Sequence, residues 1–361
     1  MAPGLSVYLD AVRLLAACVV VVHHAFGAGI TGGFLWQVGQ YGPTAVMVFF
    51  VLSGYVIQHV IATREHRLSD YAVARLARLY SVVVPALALG ALAQWVGDAV
   101  LPAASAVPWE RAQPDALWRW LMSLVMLQDV WQLGMSPPNN GSFWSLSYEF
   151  SYYVLFAVLV YLRGGRRWGV GVLVALVAGP AVLALAPVWL AGVWVCRCHQ
   201  DPAWRLPAPL ALLLAVGGGL LLLASPWHRD ALAVDLPGIS ASLASDLLDG
   251  AAFGLHLLGL HQVMGRAGGW LAALQRPVAR AATLTFPLYL MHLPVLRCVA
   301  GLSPWADTPG APAHIALVYG LTLAVVVAVG VPAERSRAWW RRCFQRWLAP
   351  ADRRTAAAPP T

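Results

Sequence analysis

The 361-residue chain is 60% hydrophobic and 11% charged, with a mean hydropathy of +0.67, where a soluble domain carries about a quarter charged residues. That excludes a soluble globular enzyme and leaves apolar stretches of about 20 residues, the length that crosses a hydrocarbon core. All 24 basic residues are arginines, against 16 acids for a net charge of +8, and because they punctuate apolar segments instead of clustering on a polar domain, no nucleic-acid partner is expected.

Apolar windows bounded by Pro, Gly and charge predict ten spans, at 6–27, 42–62, 80–101, 143–162, 168–185, 187–199, 208–225, 239–262, 281–301 and 313–333. The expected fold is all-α, a polytopic membrane protein with about ten transmembrane helices around a central polar cavity. The opening MAPGLSVYLDAVRLL lacks a basic n-region and reads as an uncleaved first span. Residues 63–79 read as a separate amphipathic helix on the cytoplasmic face, capped by Ser69 or Asp70, and 102–142 as an outer loop whose middle dips into the interface. Residues 1–335 are then the membrane domain and 336–361 a basic cytoplasmic tail, disordered after its first turns. With the N-terminus inside, 19 arginines fall on cytoplasmic segments, Arg111, Arg119 and Arg229 lie outside, and Arg13 and Arg297 lie within spans. The positive-inside rule thus predicts that both termini are cytoplasmic. The five cysteines form neither CxxC pairs nor a framework, so neither disulfides nor a metal site is expected.

An ionisable group inside a span costs about 2.5 to 3.5 kcal/mol on insertion scales, so Asp10, Arg13, Glu149 and Arg297 form the functional shortlist. In the first span Arg13 and His24 are eleven residues apart, a net rotation of roughly 20° and a rise of about 16 Å. Asp10, Arg13 and His24 therefore share one face, from which His23 is turned away. A general base, His24, above a charged pair that orients a ligand is one reading, since imidazole titrates near neutrality. A polar stripe that only holds helices together is the other. Arg75 and Arg78, at i and i+3, offer bidentate donors for a phosphorylated ligand, or a topogenic basic loop. In SFWSLSYEFSYY, Ser142, Ser145, Glu149 and Tyr152 fall on one helical face, making Glu149 a candidate to orient His24 or to bind acceptor hydroxyls unless the seam is structural. Tyr289 and His292 lie one turn apart before Pro294, and Trp144 offers a stacking surface.

These motifs resemble the membrane-bound acyltransferase family 3, which includes polysaccharide and lipopolysaccharide O-acetyltransferases. LDAVRLLAACVVVVHHAFG looks like its opening arginine and histidine, carried by Arg13 and His24, and GPTAVMVFFVLSGYVI looks like its Phe-Phe and Ser-Gly signature at Phe49, Phe50, Ser53 and Gly54. RLARLYSVVVP resembles its paired arginines, FWSLSYEFSYYVLF its Trp-Ser-Leu and Glu motif at Trp144, Ser145 and Glu149, and TFPLYLMHLPV its late Tyr and His-x-Pro at Tyr289, His292 and Pro294. Ser81 and Ser336 stand where the family usually has proline. The resemblance implies transfer of an acyl group, most often acetyl, from acyl-CoA on the cytoplasmic side of a bacterial inner membrane to a saccharide hydroxyl. Arg75, Arg78 and Ser53 would then hold acetyl-CoA, His24 would act as base with Glu149, Arg13 and Asp10, and Trp144, Ser145, Tyr289 and His292 would meet the acceptor. Direct transfer is expected, because neither Ser nor Cys sits beside His24 on its stripe. The competing class is a transporter or flippase of lipid-linked saccharide, against which stands the lack of an internal repeat.

Overall fold

The computed structural model describes residues 3–102, 107–232, 240–264 and 270–348. Every regular element among them is helical: α1 (Pro3–Ala25), α2 (Ala28–Thr31), α3 (Trp36–Gly39), α4 (Gly42–Thr63), α5 (Leu68–Val100), α6 (Ala116–Leu124), α7 (Trp144–Tyr161), α8 (Gly164–Ala178), α9 (Pro180–Gln200), α10 (Ala208–Leu223), α11 (Ser225–Ala231), α12 (Leu243–Met264), α13 (Trp270–Ala282), α14 (Thr285–Leu302) and α15 (Pro312–Leu348), with 3-10 turns at Val130–Gln132 and Gly141–Phe143. The protein is an all-α multi-pass membrane protein. Every one of the ten apolar windows becomes a helix, but only eight, α1, α4, α5, α7, α9, α12, α14 and α15, are long and apolar enough to cross a membrane singly. A ninth forms if α10 and α11, bent by 63° at Ala224, act as one broken span. The remaining window holds α8, whose 15 residues reach about 22 Å, short of a hydrocarbon core of about 30 Å.

Three boundaries differ from the sequence reading. Residues 63–79 do not form a separate surface helix. From Leu68 they run into the third span as one 33-residue helix, because nothing near Tyr80 breaks the ladder, and neither Ser69 nor Asp70 caps it: the N-cap is Arg67. The fifth and sixth spans divide at Gly179, not at Pro187. Gly179 adopts φ 86°, which favours glycine, and Pro180 opens the next helix, whereas Pro187 sits inside it. The boundary at 335 falls within α15, which carries Pro332 internally and continues to Leu348. The tail beyond 348 lies outside the described residues.

Backbone approach sets the packing around the centre. A Cβ on Gly54 would collide with the Trp189 carbonyl and one on Gly192 with the Val51 carbonyl, so α4 and α9 touch through a reciprocal glycine pair. The Ser-Gly pair at 53–54 thereby serves two purposes, closing the α4 to α9 contact and placing Ser53 Oγ to accept from the Trp189 indole N–H of α9 at 3.2 Å while donating to Glu149 of α7 at 2.8 Å. Large apolar side chains such as Leu212, Leu213, Leu220 and Leu223 remain exposed along α10, as a lipid-facing helix requires.

Candidate active site

Two cavities flank the packed α4 and α7. The first, of about 220 Å³, collects Asp10 and Arg13 from α1, Ser53 from α4, Arg75 and Arg78 from α5, Ser145 and Glu149 from α7, Tyr289 from α14, and Glu334 and Arg337 from α15. Helix periodicity explains the convergence on α7, where Ser145, Glu149 and Tyr153 follow one another at four-residue steps along one face.

The four arginines do not stand alike. Arg75 is pinned: its Nη2 donates to Glu65 Oε1 at 2.8 Å and its guanidinium lies over the Tyr71 ring at 5.6 Å. Burial raises the Glu65 carboxyl from its ordinary range while the Arg75 charge pulls it back. Arg78 and Arg337, by contrast, pair with no carboxylate at salt-bridge distance among the described residues, and the nearest to Arg13, Asp10, is 3.9 Å away. Three guanidinium groups in one cavity, none hydrogen-bonded to a carboxylate among the described residues although Asp10, Glu149 and Glu334 lie within electrostatic reach, suit an anion, and phosphate is matched by their planar forks. The acids are largely committed: Glu149 Oε1 accepts from Ser53 Oγ at 2.8 Å and from the Tyr153 hydroxyl.

Neither His24 nor His292 lines this cavity; both lie one helical turn beyond its end. Ser145 Oγ and the Tyr289 hydroxyl, 2.7 Å apart, close that end. One turn further, Ser142 Oγ lies 3.4 Å from His24 Nε2, and the His24 and His292 rings stand 5.2 Å apart. His292 Nδ1 contacts the Leu288 carbonyl at 2.8 Å. A carbonyl only accepts, so Nδ1 carries the proton and Nε2 keeps its lone pair. That Nε2 is buried with no hydrogen-bond partner among the described residues. His23 is committed elsewhere, Nδ1 to the Gly39 carbonyl at 2.8 Å.

The sequence-derived set is thus divided. Asp10, Arg13, Ser53, Arg75, Arg78, Ser145, Glu149 and Tyr289 meet in one cavity, His24 and His292 form the layer next to it, and Trp144 faces the second cavity. Two expectations are corrected. Glu149 makes no hydrogen bond to His24, because Ser53 and Tyr153 hold it on the far side of the Ser145–Tyr289 pair. A serine does stand beside His24: Ser142 reaches it from the turn before α7, which a search along the α1 stripe alone did not find. Arg297, on the shortlist, ties down the loop ahead of α7 instead, through Asn139 Oδ1 at 3.3 Å and Glu110 at 3.7 Å. Missed altogether were Glu334 and Arg337, read as part of the closing motif and the tail, although they repeat the i, i+3 spacing of Arg75 and Arg78. Asp246 and Asp249, inside the eighth window, were also passed over.

The fold and this site define a membrane-embedded helical bundle whose arginine-rich cavity is closed by the Ser145–Tyr289 pair, with His24 and His292 in the layer beyond. Residues 6–331 match the acyltransferase domain of acyltransferase family 3, nearly the whole chain, so the protein belongs to that family and is an acyltransferase. Among curated proteins it is similar to an O-acetyl transferase of Shigella phage Sf6, 30% identical over 171 residues, 46% of this chain and 49% of that one. It is also similar to Acyltransferase MdmB of Streptomyces mycarofaciens, 25% identical over 320 residues, 78% of this chain and 75% of that one. The chain spans about half the length of the phage relative. No solved structure matches it.

Proposed function

We propose that the protein is an acyl-CoA-dependent O-acyltransferase of a bacterial cytoplasmic membrane, carrying an acetyl group from cytoplasmic acetyl-CoA to a hydroxyl of a saccharide such as a surface polysaccharide, a lipopolysaccharide or its lipid-linked precursor. The observation that carries this reading is the cavity in which Arg78 and Arg337, without a carboxylate at salt-bridge distance among the described residues, occupy one end and the Ser145–Tyr289 pair, one turn from His24, the other. The arginines are placed for donor phosphates, with Arg75 held by Glu65 as their scaffold and Ser53 on the cavity wall. Both termini are assigned to the cytoplasm, the side on which the arginines of α5 and α15 concentrate. His24 Nε2 takes the proton of the acceptor hydroxyl as its oxygen bonds to the thioester carbonyl carbon. The carbon–sulfur bond then breaks, and the departing sulfur receives that proton to leave as free thiol.

The test is release of free CoA by purified protein given acetyl-CoA and glycosides. His24→Ala is expected to cut the rate about 10²- to 10⁴-fold, the range of a general base, while His23→Ala, whose ring contacts the Gly39 carbonyl, leaves most of it. Equal loss from both substitutions, or substrate movement independent of CoA, would overturn the reading. Direct transfer is retained as the proposal despite Ser142: Ser142→Ala should keep the rate within about threefold, whereas an acyl-enzyme on Ser142 requires a loss as deep as that of His24→Ala.

A further inference from the structure

The second cavity, of about 280 Å³, lies against the first turns of the same α4 and α7, where Met47 and Trp144 face it while Phe50 and Ser145 face the first. Its remaining walls come from the first turns of α9, from the loop ahead of α7 and from the start of α12, the last two through Asp129, Gln132, Ser242 and Asp246. The two cavities therefore sit on opposite sides of a wall built by Phe50, which contacts both Trp144 and Tyr148 at ring separations of 6.1 and 6.4 Å.

Several groups in this cavity are prepared for a ligand and occupied by nothing in the protein. Tyr148 is only 6% exposed, yet its hydroxyl makes no hydrogen bond among the described residues and lies within electrostatic reach of both Asp129 and Asp246. Asp246 is compensated, taking Ser242 Oγ at 2.8 Å and the Arg229 guanidinium at 2.8 Å, which Asp249 also holds at 2.6 Å. Asp129 has no cation at salt-bridge distance among the described residues. One of its oxygens accepts the Gly134 N–H at 3.2 Å and the other is unused. Gln132 reaches the wall from a turn in which both it and Trp131 adopt left-handed backbone, at φ 55° and 52°. Such a conformation in two consecutive non-glycine residues is held by the fold at a cost and concentrates at binding sites. The Trp131 indole N–H, bonded to the Leu176 carbonyl at 2.8 Å, helps to hold it.

From these observations we infer that the second cavity is the acceptor subsite and that it takes an uncharged sugar ring. An aromatic pair presents apolar faces to ring C–H groups, while a free carboxylate oxygen, an amide and an unpartnered phenol engage hydroxyls. An anionic sugar or a donor phosphate is repelled by Asp129, so the two substrates are sorted by charge on either side of the Phe50 wall; the α1 turn that carries His24 comes up to the second cavity at Pro43, whose neighbour Gly42 packs against the His23 ring, itself 5.1 Å from that of His24. This assignment rests on the O-acyltransferase reading above.

The test uses the full-length protein, acetyl-CoA, and a panel of p-nitrophenyl hexosides with the matching glucuronide, measuring CoA release and, separately, equilibrium binding of radiolabelled acetyl-CoA. At least one neutral hexoside should accelerate CoA release saturably, with the glucuronide the poorer substrate. Asp129→Asn should raise the KM for that hexoside at least tenfold, narrow the discrimination against the glucuronide, and leave acetyl-CoA binding unchanged. Gln132→Ala, in the exposed loop, should raise the same KM severalfold, so the assignment does not depend on one variant folding. No acceleration by any neutral hexoside, preference for the glucuronide, or both variants within twofold of the wild-type KM overturns the acceptor assignment. Failure of the unmodified protein to bind acetyl-CoA overturns the donor reading instead.

Discussion

The two cavities are built by the same device with the charges exchanged. On the α5 and α15 side a cation, Arg75, is pinned by Glu65, which leaves Arg78 and Arg337 unpaired. On the side of the loop ahead of α7 an anion, Asp246, is pinned by Arg229, while Asp129 has no cation at salt-bridge distance among the described residues. In each, a buried ion pair fixes the wall and a neighbouring charge of the same sign has no close ion-pair partner among the described residues. The difference teaches that burial and charge alone do not mark a functional residue; what a charge is already bonded to does.

That contrast breaks if pinned residues prove to govern ligand affinity, or if removing an unpaired arginine lowers stability. The largest effect is expected from Arg229→Ala, which leaves Asp246 and the fully buried Asp249 without their cation and costs about 3 to 5 kcal/mol. It should appear as a large fall in the unfolding temperature of detergent-purified protein. Next, Arg78→Ala should raise the KM for acetyl-CoA about tenfold or more, the loss of one charge-assisted contact, without moving that temperature. An unchanged KM for both Arg78→Ala and Arg337→Ala would remove the donor role from the first cavity.

The smallest effect is a pH dependence. Burial pushes the Asp129 carboxyl up to about 6, above its ordinary value near 4. A raised folded-state pKa means that the neutral form favours folding: the contribution is complete below about pH 4 and is lost as pH rises through about 6. Stability should therefore fall between about pH 4 and 6 by a degree or two in Tm, a loss that Asp129→Asn removes. A wild-type slope identical to that of Asp129→Asn would show that Asp129 does not titrate in this range.

The eleven-residue spacing from Arg13 to His24 and the four-residue step from Ser145 to Glu149 were readable because a helix repeats at fixed angles, whichever partner it meets. Contacts between helices were not readable in that way. Ser142 comes to His24 from a different element, Glu149 turns to Ser53 and Tyr153, and Arg337 joins Arg13 and Arg78 only because α15 continues past the expected boundary. Asp129 carried no signal at all, since its place in a wall depends on the loop backbone around Trp131 and Gln132.

Composition by itself determined that this protein spans a membrane as helices, because 11% charge in 361 residues leaves the chain no other solvent for its apolar stretches. The five motifs in order determined the acyltransferase resemblance. Only the tertiary structure decided which charges are free. A side chain's availability is a property of its neighbours in space, and residues as distant in sequence as Arg78 and Arg337 become neighbours only when the bundle closes.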